Sequence, residues 1–235
     1  MLDGIRIIVT LSCLGVASYQ DLRERLVDDK IWLIFFPVGI GLLIVDFLLK
    51  PPQLFYILCS FCAVSPVVIV VAVLVKMEIV GSADLIAICY IAASMPLYTN
   101  HFPIFDLRKL AHPFFPVTVI LNSCLMSLAV IPYNLARNVM HLISGRKLFE
   151  GIDAGAAQRT MVFLLATPVN TKFIRNRHFI PMEIKNSGRK ITVIPKIGNE
   201  NEVYGKEIWA TIGLPMIFLY FISFIFSLIF GGVLL

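Results

Sequence analysis

The chain has 235 residues, of which 58% are hydrophobic and 15% charged, and its mean hydropathy is +0.86. Soluble domains carry about 25% charged residues, so this composition excludes an ordinary soluble protein and indicates a one-domain integral membrane protein. The net charge of +5 does not indicate nucleic-acid binding. Most basic residues cluster in one short loop and one polar stretch, the asymmetry that orients membrane proteins.

Six apolar stretches are predicted to cross the membrane as helices, since a spanning helix needs about 20 apolar residues. The first has no small-residue cleavage site after its apolar run, so we expect a retained helix and not a signal peptide. The fourth is short, and the fifth is longer than a bilayer requires. In chain order the predicted spans are residues 4–20, 31–49, 54–75, 84–98, 113–143 and 208–235.

The polar stretch between the last two spans has the pattern of extended structure. Residues 161–165 and 190–194 are rich in strand-favouring types, and Asn186-Ser187-Gly188 is typical of a hairpin turn. The predicted fold is an all-α polytopic membrane protein of six transmembrane helices, with a small cytosolic β-rich domain inserted between helices 5 and 6. The predicted parts are residues 1–145 for helices 1 to 5, residues 146–207 for the cytosolic domain, and residues 208–235 for helix 6.

The basic residues set the expected orientation, since loops rich in Lys and Arg stay in the cytosol. The loop after the first span holds Arg23, Arg25 and Lys30, which places the N-terminus outside the cell. The first span then runs inward and the fourth outward. Asp21 and Asp84 are therefore predicted at the cytosolic edge of the cell membrane in a multi-pass protein.

Asp21 closes the first span and Asp84 opens the fourth, and carboxylates beside apolar spans are costly enough to suggest a function. Two carboxylates that share a proton can activate water and protonate a leaving group. We take them as the candidate catalytic dyad of an intramembrane aspartyl protease. Taken singly, Asp21 also fits a boundary residue paired with an arginine, and Asp84 an ordinary helix cap. Ser82 is expected to cap the helix that Asp84 opens.

Two motifs resemble those of prepilin peptidases. The first is Asp21 with the later residues Arg23, Arg25, Val27 and Trp32. The second is Gly81-Ser82-Ala83-Asp84, which is similar to the GxGD signature shared with presenilin-type proteases, with Ala83 where the signature has Gly. The six-span plan, without a cytosolic loop of two CxxC pairs, most resembles the archaeal branch, the preflagellin peptidases. The resemblance is strongest over the first hundred residues.

The resemblance implies removal of a short basic leader from archaellin or pilin-like precursors, cut at the cytosolic face just before their hydrophobic segment. Membrane lipid and such a precursor are the expected partners. No metal or cofactor is expected, because the five Cys lie in apolar spans and the four His are scattered. Acidic residues near the dyad would attract a basic leader, or else balance the basic residues of their own loops. These residues are Glu24, Asp28, Asp29 and Glu78.

Other readings stay open on the residues alone. Intramembrane carboxylates also serve proton and ion pathways, so a small ion or proton transporter is an alternative, although no internal repeat of the transporter kind is visible. A prepilin peptidase that serves other pilin-like precursors is a second alternative. A non-enzymatic scaffold whose cytosolic sheet recruits a partner is a third.

Overall fold

The computed structural model describes residues 2–49, 54–98, 114–145, 148–171, 179–186, 188–191 and 207–232. The described helices are α1 (Leu2–Glu24), α2 (Asp29–Leu49), α3 (Leu54–Lys76), α4 (Ser82–Ser94), α5 (Phe115–Ser127), α6 (Val130–Ile143), α7 (Ala156–Leu165) and α8 (Met216–Phe230). The described strands are β1 (Ile152–Asp153), β2 (Thr167–Asn170), β3 (Phe179–Pro181), β4 (Glu183–Asn186), β5 (Gly188–Ile191) and β6 (Glu207–Ile212).

The described helices agree with the membrane character expected from the composition. Four described segments are long and apolar enough to cross a membrane, namely α1, α2, α3 and the segment Phe115–Ile143 that joins α5 and α6. The apolar helices α4 and α8 have 13 and 15 residues, or about 20 Å of rise, less than the roughly 30 Å of a hydrocarbon core. The structure fits a mostly helical, multi-pass membrane protein, and the six-span plan stays a prediction.

The first compact unit comprises Met1–Met126 and Pro215–Leu235. Within it α1 packs on α2 and α8, and α4 packs on α2 and α3. The core is apolar and aromatic, and the rings of Phe115 and Phe224 meet edge to face at 4.9 Å. Gly39 lets α2 approach α4 closely, because a Cβ there would stand 3.1 Å from the Tyr90 ring.

The second compact unit comprises Ser127–Leu214 and holds two small sheets. One has the order β1-β5-β4, with β1 parallel to β5, and the other has the antiparallel order β2-β6-β3. Trp209 of β6 is buried in its core and stacks on Phe149 at 4.7 Å. The hairpin is confirmed in that Asn186 pairs with Gly188, while Ser187 and residues 192–194 lie outside the described residues.

Two predicted elements were wrong in type. Residues 161–165 were expected to be extended, but they lie in α7, and only Val162 of that run is buried. Residues 208–235 were expected to be one span, but Ile208 to Ile212 belong to β6 and the helix begins at Met216. A short apolar run fits a strand or a helix equally well by pattern. The division at residues 145 and 207 stays a prediction.

Candidate active site

Asp21 and Asp84 lie at the same end of the first unit. Asp21 is in the last turn of α1 and Asp84 in the first turn of α4. The two helices are antiparallel, since Arg6 at the start of α1 bonds to Ser94 at the end of α4. Both aspartates are partly buried, and their carboxylates are near enough to interact electrostatically. The folded chain thus brings together two groups that are far apart in sequence.

The Asp21 carboxylate lies at the N-terminus of α8. Its Oδ2 accepts a hydrogen bond from the Ile217 N–H at 3.2 Å, and the Phe218 N–H also donates to this carboxylate. These N–H groups are in the first helical turn, where no intrahelical carbonyl can accept from them, and the residue before α8, Pro215, supplies no side-chain cap. Asp21 therefore caps α8, with the positive end of that helix facing its charge.

Arg25 follows α1 directly and also interacts electrostatically with Asp21. Its φ of +54° is in the left-handed region, which costs a residue with a Cβ about 1–2 kcal/mol. In this conformation the Arg25 N–H still bonds to the Asp21 carbonyl at 3.2 Å, and the chain turns away from the helix axis. Arg25 thus ends α1 one turn after Asp21.

Asp84 is supported by the backbone that precedes it. Gly81 is the N-cap of α4, with φ −72° and ψ 147°, and its N–H donates to the Asp84 carboxylate. The expected cap at Ser82 was wrong, because Ser82 is already the first helical residue and its exposed hydroxyl makes no cap bond. Ala83 is also helical and packs on the core. A small residue suffices there, since helical φ needs no glycine.

Tyr220 of α8 is a site residue that the sequence analysis missed. It is 5% exposed and interacts electrostatically with Asp84. Residues three apart share one face of a helix, so Ile217 and Tyr220 bring the same face of α8 toward the two aspartates. No sequence signal marks Tyr220, because a single tyrosine in an apolar stretch is ordinarily a packing residue.

The acidic residues near the dyad have different local roles. Glu24, Asp28 and Asp29 are exposed in and beside the turn between α1 and α2. Asp28 caps α2, since its Oδ1 accepts a hydrogen bond from the Lys30 N–H at 3.0 Å. Glu78 has a φ of +60° just after α3 and lies in the connection that leads to Gly81. All four acidic residues are exposed, so attraction of a ligand by Glu24, Asp28, Asp29 and Glu78 stays a prediction.

An apolar groove adjoins the site. It has a volume of about 830 Å³ and runs along α2 from Asp29 to Ile44, and it includes Ile86 of α4. Ile86 is two residues past Asp84, so one end of the groove lies near the dyad. The groove extends about 22 Å along α2 at 1.5 Å per residue.

Asp46 is separate from this site. It lies near the end of α2, buried, with its Oδ2 2.7 Å from Nη1 of Arg6. Among the described residues no group of three or more His, Cys, Asp and Glu side chains is placed to hold a metal ion. Asp21 and Asp84 form the described carboxylate pair that combines mutual proximity with partial exposure.

Comparison with known proteins adds one finding. A family model described as the type IV leader peptidase family matches residues 8–131, just over half of the chain. The matched region includes Asp21 and Asp84 and ends before α8. No curated protein sequence matches the chain significantly.

The capping role of Asp21 predicts a graded loss of stability. Asp21→Asn keeps an oxygen acceptor for the Ile217 N–H, whereas Asp21→Ala leaves it without a partner, which costs about 0.5–2 kcal/mol at a helix N-terminus. We expect thermal unfolding in detergent to give a lower Tm for Asp21→Ala than for Asp21→Asn. Equal Tm values for the two variants would contradict the cap.

Proposed function

The chain belongs to the type IV leader peptidase family, and from this premise we propose that it is a membrane-embedded aspartyl endopeptidase with Asp21 and Asp84 as its catalytic dyad. The observation that carries the proposal is the approach of two carboxylates, one from α1 and one from α4, at one end of an apolar bundle. Family membership makes the protein a leader peptidase, whose substrate is a protein precursor.

The proposed mechanism divides the work between the carboxylates. Like charges this close cannot both ionise easily, so the pair holds one proton. The ionised carboxylate takes a proton from water as the water oxygen attacks the scissile carbonyl carbon. The protonated carboxyl donates to the carbonyl oxygen, and the tetrahedral intermediate then breaks its C–N bond as a proton passes to the leaving amine. No other reactant is required.

The substrate we propose is an archaellin precursor, cut at the cytosolic face just before its hydrophobic segment. The support is the resemblance to the archaeal branch, together with a sequence whose single CxxC, at Cys59 and Cys62, lies in α3. Other pilin-like precursors are the second candidate, since the family is defined by type IV leaders.

Exposed acidic residues beside the dyad support a basic leader, because opposite charge raises the local concentration of a ligand. The groove along α2 supports an apolar segment next to the scissile bond, since it carries little polar surface and reaches Ile86. A precursor with a basic leader followed by an apolar segment would contact both surfaces at once. Asp29 lies where the two surfaces meet.

The dyad is tested by single substitutions. We expect Asp21→Asn and Asp84→Asn each to lower kcat by about 100- to 10,000-fold, the usual contribution of a general acid or base. The measurement is cleavage of purified archaellin and pilin precursors by detergent-solubilised protein. The exposed Asp153→Asn is the matched control and should retain wild-type kcat. Substantial activity in either dyad variant would sink the proposal.

Leader attraction is tested by charge reversal at Glu24 and Asp29, with Asp28 kept because it caps α2. We expect the double variant Glu24→Lys/Asp29→Lys to raise KM for a basic leader about tenfold at low salt. The effect should shrink at high ionic strength, where such interactions are screened. A leader with its Lys and Arg replaced by Gln is the control substrate. An equal rise in KM for that neutral leader would refute charge attraction.

Occupancy of the groove by the precursor's apolar segment is tested at Gly41, which lines it. A Cβ at Gly41 would meet nothing within 4 Å, so Gly41→Phe adds a ring at the groove without a clash at its Cβ. We expect a severalfold higher KM at unchanged kcat. Gly4 has the same open surroundings, and Gly4→Phe is the control. An unchanged KM in Gly41→Phe would contradict occupancy of the groove by the substrate.

A further inference from the structure

A second polar cluster lies at the end of the bundle away from the dyad. Arg6 of α1 is 5% exposed and Asp46 of α2 is 4% exposed. Nη1 of Arg6 is 2.7 Å from Oδ2 of Asp46. Nε and Nη2 of Arg6 donate to the Ser94 carbonyl of α4 at 3.0 and 2.6 Å. We call Arg6, Asp46 and the Ser94 carbonyl the Arg6 clamp.

Stability alone does not explain the Arg6 clamp. Removing two charges from water costs several kcal/mol per ion, and replacing a buried ion pair by apolar residues is often neutral or stabilising. A bundle of apolar helices could pack without these charges. The ion pair adds a fixed geometry of contact, because the planar guanidinium donates its hydrogen bonds in set directions. The Arg6 clamp therefore joins α1 to α2 and to α4 at one position along the helix axes.

The Ser94 carbonyl, which accepts both of these hydrogen bonds from Arg6, lies at the end of a helix. Ser94 is the last residue of α4, and carbonyls in the last helical turn have no intrahelical partner. Two donors from one guanidinium therefore satisfy the end of α4 and fix its height against α1. Each of the three helices is held at one point near its end.

The helix lengths relate this contact to the dyad. Along α1, Asp21 lies about 22 Å from Arg6, and along α4, Asp84 lies about 15 Å from Ser94, at 1.5 Å per residue. With the helices antiparallel, both distances run from the Arg6–Ser94 contact toward the same end of the unit, where Asp21 and Asp84 interact electrostatically. A slip of one turn would separate them by about 5.4 Å.

We infer that the Arg6 clamp is the positioning element of the proposed active site, which sets the axial register between α1 and α4 and so brings Asp21 and Asp84 together. The inference rests on the proposed function, because it assigns the dyad to catalysis. Misplacement of reacting groups by about 1 Å can cost about 100-fold in rate. Arg6 thus acts on the reaction through helix position and does not touch substrate.

The test compares Arg6→Met with the double variant Arg6→Met/Asp46→Leu. The single variant leaves Asp46 without its cation, so we expect lower Tm and lower kcat. The double variant removes both buried charges and leaves only the partly exposed Asp3, which lies 4.0 Å from Arg6, without that cation. Tm should therefore return toward wild type while kcat stays about 100-fold down and KM stays unchanged. Recovery of kcat together with Tm would overturn the inference, since the clamp would then serve stability alone.

The control is Ser60→Ala. The Ser60 hydroxyl donates to the Pro96 carbonyl at 2.7 Å and is buried, so this bond ties α3 to the chain just past α4. Its loss should lower Tm but leave the α1–α4 register in place. We expect wild-type kcat in Ser60→Ala. A loss of kcat as large as in the double variant would show that any destabilisation at this end inactivates the protein, and would overturn a specific role for Arg6.

A second readout does not depend on proteolysis. The variants Leu22→Cys and Ser82→Cys introduce cysteines at two exposed positions. Spin labels on these two cysteines report the distance between the ends of α1 and α4. The accessible native cysteines are replaced in this background. We expect a narrow distribution in the wild-type background and a broad or shifted one in the double variant. An unchanged distribution would overturn the inference. Absence of cleavage by wild type, or activity in Asp21→Asn, would instead refute the proposed function and leave the spin-label result valid.

Discussion

An apolar bundle can hold a carboxylate only when polar partners compensate for the lost water, and this constraint organises the first unit. Asp46 receives a full opposite charge from Arg6. Asp21 receives backbone N–H groups from the start of α8, and Asp84 receives one from Gly81. The three aspartates are thus held in different ways. Only Asp21 and Asp84 also lie near each other with partial exposure.

The different partners fit a structural role for Asp46 and the proposed catalytic role for Asp21 and Asp84. A carboxylate bonded to a buried guanidinium has its charge neutralised and its lone pairs directed into the protein. Backbone donors support the charge of Asp21 and Asp84, and Arg25 adds an opposite charge near Asp21, while both aspartates stay partly exposed. The same helix, α8, donates a hydrogen bond to Asp21 from its first turn and carries Tyr220, which interacts electrostatically with Asp84. The candidate site therefore includes contacts from a helix outside the part of the chain that matches the family.

Secondary structure was predictable where a pattern extends over many residues. The helices α1, α2 and α3 begin and end within a few residues of the predicted bounds. A run of about 20 apolar residues predicts a membrane-spanning helix and fits few other structures. Short runs were ambiguous. Residues 161–165 became part of α7, whereas Ile208, Trp209 and Ala210 became a buried strand between β2 and β3. In each case the choice was made by what the segment packs against.

Several properties of this protein followed from the sequence by itself: the membrane character, the spacing of two aspartates at span ends, and the motifs that carry the family resemblance. They follow because hydropathy and residue identity are local. The tertiary structure decided the partners of each charge. It placed the N-terminus of α8 at Asp21, placed Tyr220 where it interacts electrostatically with Asp84, and paired Arg6 with Asp46 and Ser94 across 40 and 88 positions of sequence. Such contacts depend on how helices pack, which no local pattern encodes.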